Sequence, residues 1–429
     1  MDKNKILKNL EKLISFQSVS TDKKRFSEIL KAVDFIKIYL KKLGFKINLY
    51  QKTGYPPLIV ASKIINQNRK TLGFYAHYDV QPEDPINQWK TSPFKLTLKN
   101  KKLFGRGVAD DKGHLWQIVC AAEEIIKNNQ LKNNLVFVFE GEEEIGSLNF
   151  ESLVKKDKQL KKVDVFYVLD MGMKKRTKPE IFYGLRGIVT YQLRLKLHQN
   201  DLHSGVYGNL VFNPAQILAE LMAKMVDGVS HKIKIPDFYQ SVKKITNKEK
   251  LLLKKSSYGS IDSKVLPSLD INGFISGYTK EGIKTIIPAE ALVKFSLRLV
   301  PNQKWQKIDN LVRKFIKDNL PKNIFYQLEF FSGSDPFYTD YNSQEVKNTT
   351  KVLKKVFGGE ALYNRSGGSV PAAEIIQRLF KKPVILLGFV LSDECNLHAP
   401  NENYDEENFF KGIRALKKII LRMKYEKFI

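Results

Sequence analysis

The chain has 429 residues, of which 43% are hydrophobic and 11% aromatic. That is ample material to bury and long for one core, so two domains are expected and disorder is excluded. Lys plus Arg number 72 against 45 Asp plus Glu, a formal charge of +27, and only Cys120 and Cys395 are present, which excludes a disulfide framework and a thiolate zinc motif.

The lysines are spread along the chain, often in pairs and beside Asn, without a basic helix, zinc-finger or RNA-binding sheet signature. Solvated faces are the expectation, and neither nucleic acid nor membrane is an expected partner. No run of about 18 uncharged apolar residues occurs. The opening MDKNKILKNLEKLISF sets Lys among Ile and Leu at helical spacing. It lacks the apolar block and cleavage site of a secretory signal, which points to the cytosol.

In chain order, LGFYA, NLVFVF and VDVFYVL read as strands, with a helical stretch at HLWQIVCAAEEII between the first two. Such alternation predicts an α/β layer with a largely parallel sheet. YGLRGIVTYQLRLKL then reads as one alternating strand. FNPAQILAELMAKMV follows as a helix capped by Asn213 with Pro214 at its first position, and ALVKFSLRLVP is strand-like again. Signals of the first kind return in VILLGFV and in the helix FFKGIRALKKIILRM. A main domain at 1–186 and 334–429, split by a small α+β insert at 187–333, is the expected organisation.

Ligands of open α/β sheets sit beyond the carboxyl ends of the strands. Those ends carry His77 and Asp79 after LGFYA, Glu140, Glu142, Glu143 and Glu144 after VFVF, Asp170 after VDVFYVL, and His398 beyond VILLGFV. Asp110 and Asp111, in LFGRGVADDKG, stand just before the helix. A lone His or Asp at such a place is commonly a turn or cap residue; their coincidence at one edge points to a metal site. Imidazole and carboxylate without thiolate suit Zn, Mn or Co. The donor set fits two ions better than one, about 3.5 to 4 Å apart, clamping a water whose pKa falls toward neutrality.

HYDVQP, GRGVADDKG, EGEEEIGS, DLHSGVYG, SLRLVPN, GGSVP and the late His398 occur in the order and spacing of the M20 metallopeptidases. The chain resembles that family from about Leu13 to Ile420, most nearly its cytosolic nonspecific dipeptidase and carnosinase branch. The resemblance implies a mixed-sheet α/β catalytic domain with helices on both faces and an inserted α+β lid and dimerisation domain. It implies two zinc ions, with Mn or Co as alternatives, bridged by Asp110. His77 and Asp170 would complete one ion's ligands, and Glu144 and His398 the other's. Asp79 would orient the His77 imidazole, and the Asp110–Asp111 bond would be cis.

Glu143 matches the family's general base. His203 resembles a lid histidine that stabilises the oxyanion in the neighbouring subunit of a homodimer. Arg298 matches an arginine that grips the substrate's terminal carboxylate. Ser369 in GGSVP and Thr285 in KTIIP resemble further substrate contacts, Thr285 from the partner lid. Where relatives have a substrate-contacting His in a Gly-rich turn, this chain has Ser332 in FFSGSDPFY, which argues against carnosine itself as substrate. His114 reads as local packing, His198 and His231 as surface residues.

The implied activity is a dizinc dipeptidase releasing a C-terminal amino acid. An N-acyl or N-carbamoyl amino acid amidohydrolase needs the same metals and base, and a basic binding module on an inactivated scaffold is the reading from another class. Of the remaining glutamates, one of Glu140 and Glu142 is expected to give a supporting hydrogen bond and the other to face solvent.

Overall fold

The computed structural model describes residues 2–256 and 260–422; residues 423–429 of the expected third segment lie outside them. The chain divides into two compact units, one of Met1–Tyr183, Thr339–Asn364 and Val370–Ile429, the other of Gly184–Tyr338 with Arg365–Ser369.

In the first unit, four strands run parallel side by side in the order Asn134–Glu140, Thr71–His77, Val165–Leu169, Val384–Leu387. Every residue of the four is buried, as strands covered on both faces must be. Antiparallel strands flank them, Leu58–Lys63 on one side and Glu180–Leu185 on the other, so the sheet is mixed. Leu72, Phe74, Ala76, Val165 and Tyr167 pack with the helices Lys112–Lys127 and Glu406–Arg422 into one core. On the opposite face, Tyr75 meets Phe150 edge-on and Phe166 stacks on Phe380, residues of the helices Phe150–Val154 and Pro371–Phe380. Helices on both faces follow from the strict alternation of side chains along each strand.

Two small ladders matter for the site. Asn403–Asp405 pairs antiparallel with Lys102–Phe104, and Val390–Leu391 pairs parallel with Gly172–Met173. The first brings the segment after His398 beside the loop leading to Asp110. The second draws the chain beyond Leu387 toward Asp170.

The second unit is an antiparallel sheet ordered Ser268–Ser276, Glu290–Leu299, Gly187–Lys196, Tyr326–Ser334. Gly187–Lys196 alternates buried and half-buried positions, one face packing against the helices Pro214–Met225 and Trp305–Asn319. Arg365 and Glu249 form a buried ion pair in this unit.

The stretch expected as one strand is two, Glu180–Leu185 and Gly187–Lys196. Arg186 breaks the run because its N–H goes to Gly368 O at 3.2 Å and its Nε to Gly367 O at 3.2 Å, outside any ladder. The capped helix is present as expected. The Asn213 side chain accepts from Ala215 N at 3.0 Å and Gln216 N at 3.4 Å, with Pro214 first in the helix. Replacing Asn213 by Ala should therefore lower unfolding stability by about 1 kcal/mol, read as a shift in urea midpoint at unchanged m-value.

Candidate metal centre

Because the four central strands are parallel, their carboxyl ends share one edge, and the candidate ligands collect there. His77 ends its strand and is fully buried. Its Nδ1 lies 3.0 Å from the backbone oxygen of Asp79. A carbonyl only accepts, so Nδ1 carries a proton, while Nε2 lies 2.9 Å from Asp110 Oδ1. Asp170, just past Val165–Leu169, brings Oδ1 to 4.0 Å from the same Nε2. On the other side of Asp110, His398 Nε2 stands 2.9 Å from Oδ2 and 3.3 Å from Glu144 Oε2.

Two ligand groups result, His77, Asp110 and Asp170, and Asp110, Glu144 and His398, each with its donor atoms within 4.8 Å of one another. They share Asp110, one carboxylate oxygen facing each histidine. The donors are nitrogen and oxygen only, as borderline and hard divalent cations prefer. Glu144 Oε1 is buried without a hydrogen-bond partner among the described residues, an arrangement that costs free energy unless a cation meets it. The residues present thus fit a pair of divalent ions.

Buried carboxylates hold the ligand backbone. Asp79, fully buried, accepts from Glu143 N at 3.3 Å and Glu144 N at 3.0 Å. Its carboxylate is 3.4 Å from His77 Nδ1, so both the carbonyl and the carboxylate of Asp79 face that ring nitrogen. Asp111 Oδ2 accepts from His77 N at 3.1 Å, and Oδ1 meets His114 Nδ1 at 2.7 Å. The Asp110–Asp111 peptide is cis. His114 is more than packing: its Nε2 accepts from Phe389 N at 3.0 Å, so it is neutral, and burial pushes its pKa down to about 3.

Glu140 and Glu142 are both buried, so the expectation that one faces solvent is corrected. Glu140 ends a central strand and accepts from Tyr75 Oη at 2.6 Å. Glu142 turns inward to accept from Asn149 N at 2.9 Å. Sequence reading missed two further residues. Gln81, in HYDVQP, donates to Glu144 Oε2 at 2.7 Å. Glu402, in HAPNE, accepts from the backbone of Gly107, Ala109 and Asp110; nothing in the spacing marks it, since the contact spans distant loops.

Charge crowding shapes the protonation of the centre. Burial, then Asp110, pushes Glu144 up to about 7, and burial pushes Glu140 up to about 8. Glu143 and Asp170 are raised well above the carboxylate range, by burial and then by neighbouring carboxylates. Burial opposes ionisation of Asp110, but hydrogen bonds to His398 and His77 outweigh it and lower its pKa. The bond to Asp110 lifts His398 to about 9.

The remaining predicted residues lie in the second unit. His203 and Ile286 face each other in a two-stranded ladder, and Ser204 N donates to Thr285 O at 3.2 Å, so His203 and Thr285 come together there, both exposed. Arg298 lies on Glu290–Leu299 opposite Ile188 and Ser268, half-buried, and no carboxylate pairs with it among the described residues. Ser369 follows Gly368, whose carbonyl accepts from Arg186 N. Ser332 shares a 2.8 Å hydrogen bond with Thr190. His198 is half-buried and bonds Phe212 O at 2.8 Å, and His231 is exposed.

A family model for peptidase family M20/M25/M40 matches residues 73–422. The chain is 32% identical over 463 aligned residues to a Cys-Gly metallodipeptidase of Candida albicans, covering 96% of this chain and 93% of that protein. Among solved structures it is similar to an M20 family metallo-carboxypeptidase from Sulfolobus solfataricus, with a TM-score of 0.85, 30% identity and 98% and 99% of the two chains covered. A di-peptidase from Saccharomyces cerevisiae superposes with a TM-score of 0.77 at 30% identity, covering 98% of this chain and 95% of the other.

The raised groups set a pH dependence. In the fold Glu144 keeps its proton to about 7 and Glu140 to about 8, against 4.5 unfolded, so stability falls as pH rises through that window. His398 adds stability below 6.5 that is lost toward 9. Chelator-treated protein should therefore melt at progressively lower temperature from pH 5 to 9. Added zinc should reverse the loss while releasing protons, measured by calorimetry in buffers of different ionisation enthalpy.

Proposed function

The chain belongs to peptidase family M20/M25/M40, and from that premise we propose that it is a metal-dependent dipeptidase cleaving short peptides with two divalent cations, zinc first among them. The observation that carries this reading is the pair of ligand groups sharing Asp110, with Glu143 at the turn between Glu142 and Glu144. His77, Asp110 and Asp170 would hold one ion, and Asp110, Glu144 and His398 the other. Bound there, the ions would polarise the scissile carbonyl and lower the pKa of a captured water.

The chain's own groups do the rest. Glu143 has its N–H fixed by Asp79, and burial among carboxylates raises its affinity for a proton. It would take a proton from the attacking water and deliver it to the departing amine nitrogen. Gln81 holds Glu144 Oε2, which leaves Oε1 for a cation. Arg298, free of any carboxylate among the described residues, would grip the terminal carboxylate of the peptide with its fork of N–H donors. Ser369 and Thr285 would offer hydroxyls to the substrate backbone. His203 would donate to the developing oxyanion of a second subunit's site in a homodimer. The buried free thiols of Cys120 and Cys395 fit a reducing compartment such as the cytoplasm.

A second reading, removal of C-terminal residues from longer peptides, is favoured by the likeness to the metallo-carboxypeptidase. An N-acyl amino acid amidohydrolase is the third outcome of the same assay. Zinc-loaded protein given dipeptides, pentapeptides and N-acetyl amino acids should act fastest on dipeptides and lose that activity with a chelator; turnover of the acetylated set alone would overturn the dipeptidase reading. Glu143→Gln should lower kcat by about 10²- to 10⁴-fold, with metal content by elemental analysis unchanged. His203→Ala and Glu143→Gln, each inactive alone, should regain activity when mixed and allowed to exchange subunits. A fully active monomer by light scattering would exclude action in trans.

A further inference from the structure

Glu402 is fully buried and every lone-pair direction of its carboxylate is engaged. Oε1 accepts from Ala109 N at 2.8 Å and Asp110 N at 3.0 Å, and Oε2 accepts from Gly107 N at 2.9 Å and Arg106 Nη1 at 2.8 Å. Its backbone oxygen accepts from Gly105 N at 3.1 Å. Arg106, also buried, donates from Nη2 to Pro82 O at 3.0 Å and lies over the Trp89 ring at 5.3 Å. Trp89 Nε1 in turn donates to Glu83 O at 2.7 Å.

These contacts join three loops. Pro82 ends HYDVQP, which carries His77. Arg106 and the three N–H donors belong to GRGVADD, which carries Asp110. Glu402 ends HAPNE, which carries His398. We propose that Glu402, through Arg106, is the positioning residue of the metal centre, fixing the backbone that presents Asp110 relative to the loops of both histidines. The proposal rests on the two-cation reading above.

Physical reasons favour this role over a merely stabilising one. A buried ion pair seldom adds net stability relative to apolar residues of the same volume. Three backbone donors, at Gly107, Ala109 and Asp110, aimed at one carboxylate instead remove freedom from the peptide at Asp110, whose two oxygens face the two histidines. Any shift of that backbone would be felt in both ligand groups. Partners that orient ligands are commonly worth 10- to 100-fold in metal affinity.

The test uses the full chain, stripped with chelator and titrated with zinc by calorimetry, alongside elemental analysis. Glu402→Gln places an amide NH₂ against N–H donors. It should bind zinc roughly 10- to 100-fold more weakly and regain kcat at excess zinc with little change in KM. Arg106→Lys, which keeps the charge but loses the fork, should move in the same direction by less, and supplies the measurement should the Gln variant fail to fold. Leu40→Ala, in the core helix Phe26–Lys42, is the control: it should lower the melting temperature without weakening zinc binding. A Glu402→Gln protein with wild-type zinc affinity and only a lower melting temperature would overturn the positioning role. A wild-type chain that takes up no divalent ion would instead overturn the two-cation reading.

Discussion

Mutual repulsion among crowded, half-buried acids is the constraint around which the first unit is organised. Asp110, Glu143, Glu144 and Asp170 crowd two histidines at the edge where four parallel strands end. Charges removed from water in this way must be neutralised by protons or by cations. The elevated proton affinities of Glu143, Glu144 and Asp170 are what such crowding produces, and divalent ions relieve it while leaving the carboxylates ionised and usable as ligands. The overall charge of +27 does not do this locally, because exposed lysines are screened by solvent within about 10 Å.

Crowding of this kind would distort a loosely held site, and the surrounding hydrogen bonds show how distortion is resisted. Asp79 holds the N–H groups of Glu143 and Glu144, Asp111 holds that of His77, and Glu402 holds the approach to Asp110. Each uses a buried carboxylate to fix backbone, and that of Asp79 also lies 3.4 Å from the His77 ring. A backbone N–H cannot rotate away as a side chain can, so this support sets the direction from which each ligand projects. His114, wedged between Asp111 and the Phe389 N–H, extends the same framework to the loop beyond Val384–Leu387.

The second unit follows a simpler rule. Its sheet buries one face against two helices and leaves the other half-exposed, and it carries His203, Thr285, Arg298 and Ser369 in polar or exposed settings. At the edge of the first unit the acids are instead crowded together and half-buried.

Much of this was legible in the sequence. Apolar runs ending in His77, Glu140 and Asp170 marked the candidate edge, because strand periodicity and ligand chemistry are both local, and the motif order carried the family. Asn213 and Pro214 fixed a helix start by chemistry confined to a few residues. Local pattern misled at Arg186, where two strands read as one, and at Glu140 and Glu142, whose burial depends on what packs above the strand end. Glu402 and Gln81 were invisible because a carboxylate or amide in a polar loop looks the same whether it faces water or a distant backbone. Sequence by itself determined the central strands, the helix start at Pro214 and the family. Tertiary structure alone decided which oxygen faces which nitrogen, since a hydrogen bond is set by distance and direction between segments that the chain order leaves far apart.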